Sequence, residues 1–277
     1  MSPIERMKLI PYGVTDFASI IRNNYYYVDK NNYIAELERT ARFFFVRPRR
    51  FGKSLFLNML DYYYDCLAKE DFDELFGGLY VGMHPTENRN SYLVLKMSFS
   101  GITANPEKME KDFEQYGCLV LDSFAWKYRT LFPDDFVEKV AECTTVKSKL
   151  VCICLSMQAC GLKMYLILDE YDNFANNVLS SYGNSRYHAL THGDGFLRDF
   201  LKVVKDHTDK VIECMYITGV SPVTMDDLTN GFNIASNQST NPVFNGMIGF
   251  TESEVRSICP RDADDAEIEK LLEDAKV

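Results

Sequence analysis

The segment Arg47-Pro48-Arg49-Arg50-Phe51-Gly52-Lys53-Ser54 stands between an apolar run, Phe-Phe-Phe-Val at residues 43–46, and a helix-like stretch at residues 55–60. A strand, a loop with Gly-Lys-Ser and a helix, in that order, is typical of a phosphate-binding P-loop. In such a loop the backbone N–H groups and the helix N-terminus face the phosphates. The lysine ammonium reaches the β and γ oxygens, and the serine hydroxyl can bind Mg²⁺. We therefore predict a nucleotide-binding site made by these eight residues and the next: Arg47, Pro48, Arg49, Arg50, Phe51, Gly52, Lys53, Ser54 and Leu55.

One position departs from the usual pattern G-x-x-x-x-G-K-[ST], because Arg47 stands where the first glycine is expected. An arginine has a Cβ and rarely adopts a positive φ, so we expect this loop to close differently from an ordinary P-loop.

A second motif supports the first. Residues 164–168, Met-Tyr-Leu-Ile-Leu, read as a buried parallel strand, and Asp169-Glu170 follow at its end. This is a Walker B pattern, in which Asp169 holds the hydrated Mg²⁺ together with Ser54, and Glu170 polarises the attacking water. Lys53 and Glu170 are then the predicted catalytic residues. The alternative is that the two acids only cap the strand and begin a surface turn.

A third, weaker constellation is Thr218-Gly219-Val220-Ser221-Pro222, at the end of another predicted strand. A polar residue at the tip of the strand beside Walker B commonly senses the γ-phosphate in ATPases, and Thr218 or Ser221 are candidates. The alternative is a hydroxyl that only satisfies backbone groups of the loop.

Composition restricts the class of protein. The formal net charge of −10 argues against a broad nucleic-acid-binding surface, so a basic cluster in the loop region stands out. This cluster comprises Arg42, Arg47, Arg49, Arg50 and Lys53. Its placement on Gly-Lys-Ser favours polyphosphate as its partner over a solvated basic loop.

The eight cysteines lie mostly in apolar segments and predict reduced thiols. With no signal-peptide pattern and no membrane-spanning run, we expect a soluble cytoplasmic protein that does not contact a membrane.

The order of predicted elements indicates an α/β fold. We expect strands at residues 25–30, 43–46, 92–99, 164–168 and 211–218, and helices at 32–39, 54–67, 106–128, 134–160 and 196–206, with a polar loop at 176–195. Strands alternating with helices predict a P-loop NTPase three-layer α/β/α sandwich with a mainly parallel sheet. Ligands bind at the carboxyl ends of such strands, where the three motifs should converge.

Together with Tyr27-Val28-Asp29-Lys30, Leu168-Asp169-Glu170-Tyr171-Asp172 and Gly249-Phe250-Thr251-Glu252, these motifs resemble the bacterial AAA-ATPase-like family. The resemblance spans roughly residues 8 to 258, and Asn31 departs from the threonine usual there. It makes Arg47 a variant typical of the family, and it implies ATP with Mg²⁺ as ligands.

Members of this family commonly continue into a C-terminal nuclease-like domain of the PD-(D/E)XK type. From the resemblance we expect residues 1–258 to form the ATPase-like domain. We expect the acidic, helix-like tail at 259–277 to begin a small helical part of a truncated further region.

We consider several functions. The first is a slow Mg²⁺-dependent ATPase that acts as a switch for a nuclease-like or nucleic-acid-related effector. The alternative is a nucleotide-dependent binding module without significant hydrolysis, and a nucleic-acid-binding protein or a small-molecule kinase ranks lower. No arginine finger can be assigned, and His188 and His192 read as exposed loop residues rather than ligands. Candidate fingers are Arg49, Arg50, Arg186, Arg198 and Arg256.

Overall fold

A five-stranded parallel sheet forms the centre of the protein. The computed structural model describes residues 8–103, 105, 107–173, 178–179, 183, 196–221 and 234–258. The strands are β1 Arg42–Val46, β2 Leu93–Ser98, β3 Met164–Asp169, β4 Ile212–Gly219 and β5 Ser236–Asn237. Their order across the sheet is β2-β3-β4-β1-β5, and every pair is parallel.

The strands form where the sequence has continuous apolar runs. All six residues of β3 are buried, as are Phe43, Phe44 and Phe45 in β1. Runs that are apolar at every position, rather than at alternate positions, belong to parallel strands covered on both faces. The predicted parallel α/β sheet is confirmed.

Helices cover both faces of this sheet. One layer contains α1 Phe17–Arg22, α2 Ile34–Leu37, α3 Lys53–Tyr64, α4 Phe72–Phe76 and α5 Tyr80–Met83. The other contains α6 Met109–Lys127, α7 Phe136–Glu142, α8 Val146–Ala159 and α9 Phe196–His207, and α10 Glu252–Ile258 follows β5. Because side chains alternate along a strand, Phe43 and Phe45 join the core beneath α3, while Phe44 joins the core beneath α6 and α8. The three-layer sandwich is thereby confirmed.

Two predicted elements differ from the structure. The single helix expected at 134–160 is two helices, because Thr145 starts α8 with a capping box: the Ser148 N–H donates to Thr145 Oγ1 and the Thr145 N–H donates to Ser148 Oγ. Residues 25–30 are not a strand. The Asp29 carboxylate there accepts the N–H groups of Asn31 and Tyr80, at 2.8 and 2.7 Å, which ties the segment to the first residues of two short helices instead of the sheet.

The tyrosine-rich run at 62–64 belongs to the core. Tyr63 and Tyr64 are fully buried, and Tyr64 stacks on Tyr165 with ring centroids 4.4 Å apart. These two rings therefore cannot stack on nucleic-acid bases.

Several expectations fall on residues that the structure does not describe. Most of the loop at 176–195, with Arg186, His188 and His192, lies outside the described residues, as do Pro222 and the tail at 259–277. Among the helices that are described, none combines the length and the apolar character needed to cross a membrane.

The strand order determines where the three motifs lie. β4 is inserted between β1 and β3, pairing Phe45 with Thr218 on one side and Leu168 with Ile217 on the other. The carboxyl ends of β1, β4 and β3 are therefore neighbours, so the loop at residues 47–54 and the acids at 169–170 flank the tip of β4.

Candidate functional site

The loop between β1 and α3 turns through two left-handed residues. Arg50 has φ 68° and Gly52 has φ 88°. Gly52 is the N-cap of α3, and its carbonyl accepts the Phe56 N–H at 3.1 Å. Arg47 is not among the positive-φ residues, so its side chain causes no backbone strain, and the unfavourable conformation falls on Arg50 instead. The loop thus closes without a glycine at position 47.

Lys53 is the first residue of α3, directly after this loop. The residue is only 7% exposed, and its ammonium donates to the backbone carbonyls of Arg47 at 2.7 Å and Pro48 at 2.8 Å. Burial lowers the pKa of the Lys53 ammonium, against an opposing effect of Asp169 and Glu170. Two neutral carbonyl oxygens at the start of the loop therefore hold the Lys53 ammonium. Negatively charged phosphate oxygens would bind this ammonium more strongly than the carbonyls do.

The Arg47 side chain points elsewhere. Its guanidinium donates to the carbonyls of Val46 and Ser239, at 3.0 and 2.9 Å, and lies 4.1 Å from the centroid of the Phe45 ring. Burial lowers the pKa of this guanidinium. Arg47 contributes to the loop through its backbone carbonyl, while its side chain fastens the segment that follows β5.

The predicted basic cluster is consequently smaller than the sequence indicated. Arg42 forms an ion pair with Asp209, and Arg47 is engaged with Ser239. The cations left at the loop are those of Arg49, Arg50 and Lys53. Arg49 reaches across to the end of β3, where its guanidinium lies 3.4 Å from the side-chain oxygen of Asn173.

The residues predicted to hold Mg²⁺ do meet. The Ser54 hydroxyl donates to Asp169 Oδ2 at 3.2 Å, although the two residues are 115 positions apart in the chain. The other oxygen, Asp169 Oδ1, is buried and has no hydrogen-bond partner. Burial raises the pKa of Asp169, and the Ser54 hydrogen bond opposes this.

This arrangement suits a divalent cation. An unsatisfied buried carboxylate oxygen is costly, and a metal ion or its water shell would satisfy it. The described residues contain no group of three or more His, Cys, Asp or Glu side chains suited to a metal. Ser54 and Asp169 would therefore hold Mg²⁺ together with phosphate oxygens and water, as this ion prefers.

Glu170 follows directly in a strained conformation. Its φ is 50°, and the residue is half-buried at the end of β3. Burial, and secondarily the neighbouring Asp169, raise the pKa of the Glu170 carboxyl. Strained residues with raised carboxyl pKa values are frequent at sites of proton transfer, and a raised pKa makes the carboxylate a better proton acceptor.

The two γ-phosphate sensor candidates lie in different environments. Thr218 is fully buried within the sheet, and its hydroxyl donates to the Phe45 carbonyl at 2.6 Å. Ser221 is half-buried and lies beyond the end of β4. The Thr218 hydroxyl thus does what the alternative interpretation described, satisfying a backbone group, and the sensor role of Ser221 stays a prediction.

The sequence predicts no separate role for Asp172, Tyr171 or Gly219. Asp172 is completely buried, and its carboxylate accepts backbone N–H groups from the loop after β4. The sequence signal for Asp172 is slight, since a third acid after Asp169-Glu170 looks like part of a solvated turn. Only the spatial neighbourhood of the β3 and β4 ends shows what it binds.

Two of the candidate arginine fingers have partners in the part of the chain that the structure describes. Arg256 pairs with Glu252 within α10, and Arg49 contacts Asn173. These two guanidinium groups are thus engaged within the protein, and neither is assigned as a finger.

Comparisons with known proteins give a family match and one related sequence. The sequence matches the model of a family described as "Predicted AAA-ATPase" over residues 11–229. A protein of Azotobacter chroococcum mcd 1, named "Uncharacterized protein in vnfD 5'region", is 27% identical over 268 residues. The aligned part covers 91% of this chain and 45% of that protein, so the chain spans less than half of the relative's length. No solved structure gives a significant match.

Proposed function

Since the chain belongs to the AAA-ATPase-like family, we propose that it binds ATP with Mg²⁺ and hydrolyses it slowly, as a switch for an effector. The observation that carries the proposal is the contact between Ser54 and Asp169, beside a buried carboxylate oxygen without a partner. It brings the end of β3 to the first turn of α3, next to the buried Lys53. Such a meeting of hydroxyl, carboxylate and ammonium fits a phosphate–metal site better than a structural contact.

Each residue has a defined task in this proposal. The N–H groups of the loop and of the first turn of α3 bind the phosphates, and Lys53 exchanges its two carbonyl partners for phosphate oxygens. Ser54 and Asp169 hold Mg²⁺, which when bound neutralises charge on the β and γ oxygens. Glu170 orients the attacking water and accepts its proton.

We expect slow turnover because no arginine side chain in the described part of the chain is assigned to the γ-phosphate. The guanidinium of Arg47 is directed at Ser239, and no finger is assigned among the described residues. A properly placed arginine contributes about 10³–10⁵ in rate. Without one we expect turnover well below the ordinary value of about 10 s⁻¹.

The effector proposed for this switch is a C-terminal nuclease-like domain or a nucleic-acid-related partner. This part rests on the family resemblance alone.

The test compares Lys53→Ala with Lys111→Ala, an exposed lysine on α6 and thus on the other face of the sheet. Calorimetry with MgATP should show binding to the wild type and to Lys111→Ala. Affinity for Lys53→Ala should be about 10- to 100-fold lower, because a charge-assisted contact contributes about 1.5–3 kcal/mol. Equal affinity in all three proteins would overturn the assignment.

Measuring phosphate release from the same samples separates the two forms of the proposal. Slow, Mg²⁺-dependent release supports the ATPase. Binding without any release favours the nucleotide-dependent binding module.

A further inference from the structure

The loop after β4 is fastened to the end of β3 through one buried carboxylate. Asp172 is completely buried, and its oxygens accept the Val220 N–H at 3.1 and 3.2 Å and the Ser221 N–H at 2.6 Å. Two successive backbone N–H groups directed at one anion form a strong, charge-assisted contact. The backbone at Ser221 is therefore fixed on its amide side.

The carbonyl side of the same residue is also held. The Tyr171 hydroxyl donates to the Ser221 carbonyl at 2.6 Å, and the Tyr171 N–H donates to the Thr218 carbonyl at 3.2 Å. The Tyr171 ring packs edge-on against Phe44, with centroids 5.4 Å apart. Residues 171 and 172 thus hold the peptide groups on both sides of Ser221.

Gly219 lets the two segments approach. A Cβ at this position would lie 2.2 Å from Asp172 Oδ1 and 2.7 Å from a ring carbon of Tyr171, distances that real Cβ atoms do not show. The β4 tip is therefore packed directly against the segment that follows Asp169 and Glu170.

The use of a buried carboxylate, Asp172, to join these two segments needs a physical explanation. An apolar contact would join two loops without the desolvation cost of a carboxylate, which is several kcal/mol before its hydrogen bonds are made. What the carboxylate adds is direction, since it sets the orientation of two peptide groups and hence the direction of the Ser221 side chain. Its position three residues after Asp169 relates that direction to the metal site.

We propose that Asp172 is a positioning residue for recognition of the γ-phosphate: it orients Ser221 relative to Asp169 and Glu170. The inference rests on the proposed function, because it requires ATP at the loop of Lys53. Asp172 touches no phosphate itself. Its effect should appear where a γ-phosphate is present and vanish where it is absent.

The experiment measures the affinities for a non-hydrolysable ATP analogue and for ADP, each with Mg²⁺, in wild type and Asp172→Asn. An amide oxygen in the place of Oδ2 can still accept both N–H groups, but the negative charge is lost, and an NH₂ group in the place of Oδ1 faces the Val220 N–H. We expect the preference for the ATP analogue over ADP to fall about tenfold, because the two hydrogen bonds to Ser221 and Val220 lose their charged acceptor, while the ADP affinity changes little. A preference that is unchanged in folded Asp172→Asn would overturn the inference.

The matched control is Asp65→Asn. Asp65 is also buried and accepts a backbone N–H, from Leu67, but it follows the opposite end of α3 from Ser54. A helix of 12 residues is about 18 Å long, so Asp65 lies far from the site. This variant should lose thermal stability and keep the nucleotide preference. If Asp65→Asn lowers the preference equally, the effect is general destabilisation and the inference is wrong.

A second variant covers the case in which Asp172→Asn does not fold. Tyr171→Phe keeps the ring against Phe44 and removes only the hydroxyl that binds Ser221, so it should lower the preference in the same direction by a smaller factor. No change in Tyr171→Phe would also overturn the inference. Wild type that binds neither nucleotide refutes the proposed function, whereas wild type that binds both equally refutes only the role of Asp172.

Discussion

Gly219→Ala is the sharpest perturbation that this structure allows, because it adds one methyl group between two engaged side chains. The new Cβ would lie 2.2 Å from Asp172 Oδ1 and 2.7 Å from the Tyr171 ring. Neither neighbour can move aside freely, since Asp172 is bound to two amides and Tyr171 to the Ser221 carbonyl. Gly219 is not in the left-handed region, so backbone strain adds nothing.

The size of the effect follows from two contributions. Overpacking a filled space costs about 1–3 kcal/mol. Displacing the Asp172 carboxylate weakens a hydrogen bond to a charged group, which contributes about 1.5–3 kcal/mol when intact. With partial relaxation we expect the free energy of unfolding to fall by about 2–4 kcal/mol, or roughly 5–15 °C in melting temperature for a chain of this size.

Thermal and urea denaturation measure this loss, and Gly101→Ala is its control. A Cβ added to Gly101 would meet no atom within 4 Å, and the φ of Gly101 lies outside the left-handed region. An alanine there should therefore change stability by no more than about 0.5–1 kcal/mol. If Gly219→Ala is as stable as Gly101→Ala, the close packing of the β3 and β4 ends is wrong. Equal stability would also remove the basis for linking Asp172 to Ser221.

Two further predictions concern the acids at the end of β3. Glu170→Gln should keep MgATP binding and lower turnover by about 10²-fold or more, since an amide cannot accept the proton of water; Glu110→Gln on α6 is the control, and equal turnover in both variants would contradict the role of Glu170. Asp169→Asn should weaken the Mg²⁺ dependence of binding. The same variant should raise the melting temperature of the free protein near pH 7, because burial raises the pKa of the Asp169 carboxyl and makes its charged form unfavourable in the folded state. The carboxyl then binds its proton more tightly in the folded state than in the unfolded chain. The wild type should therefore regain stability as the pH falls from neutral toward 3.8, the ordinary pKa of an aspartate, and the difference in melting temperature between wild type and Asp169→Asn should shrink. A difference that stays constant over this range, measured by thermal denaturation in a pH series, would contradict the reasoning.

The elements nearest to the site were the most predictable ones. Residues 43–46 and 164–168 are apolar at every position, which predicted buried parallel strands, and the structure has β1 and β3 there. The start of α3 was indicated by Gly52, which supplies a left-handed N-cap at φ 88°. The break before α8 was missed because a Thr-x-x-Ser capping box gives a weaker local signal than the apolar residues on either side of it.

What the sequence determined by itself is the local chemistry of this protein: a strand, a Gly-Lys-Ser loop and a helix, and a second strand that ends in two acids. Such patterns depend on neighbouring residues, and short-range backbone preferences suffice to specify them. The tertiary structure alone decided the strand order, with β4 between β1 and β3. Helical connections permit more than one order of parallel strands, so no local signal contains it. From that order come the meeting of Ser54 with Asp169, the turning of Arg47 toward Ser239 and the contact of Asp172 with the loop after β4. Each joins residues tens of positions or more apart, because burial of two apolar sheet faces, and not local sequence, brought them together.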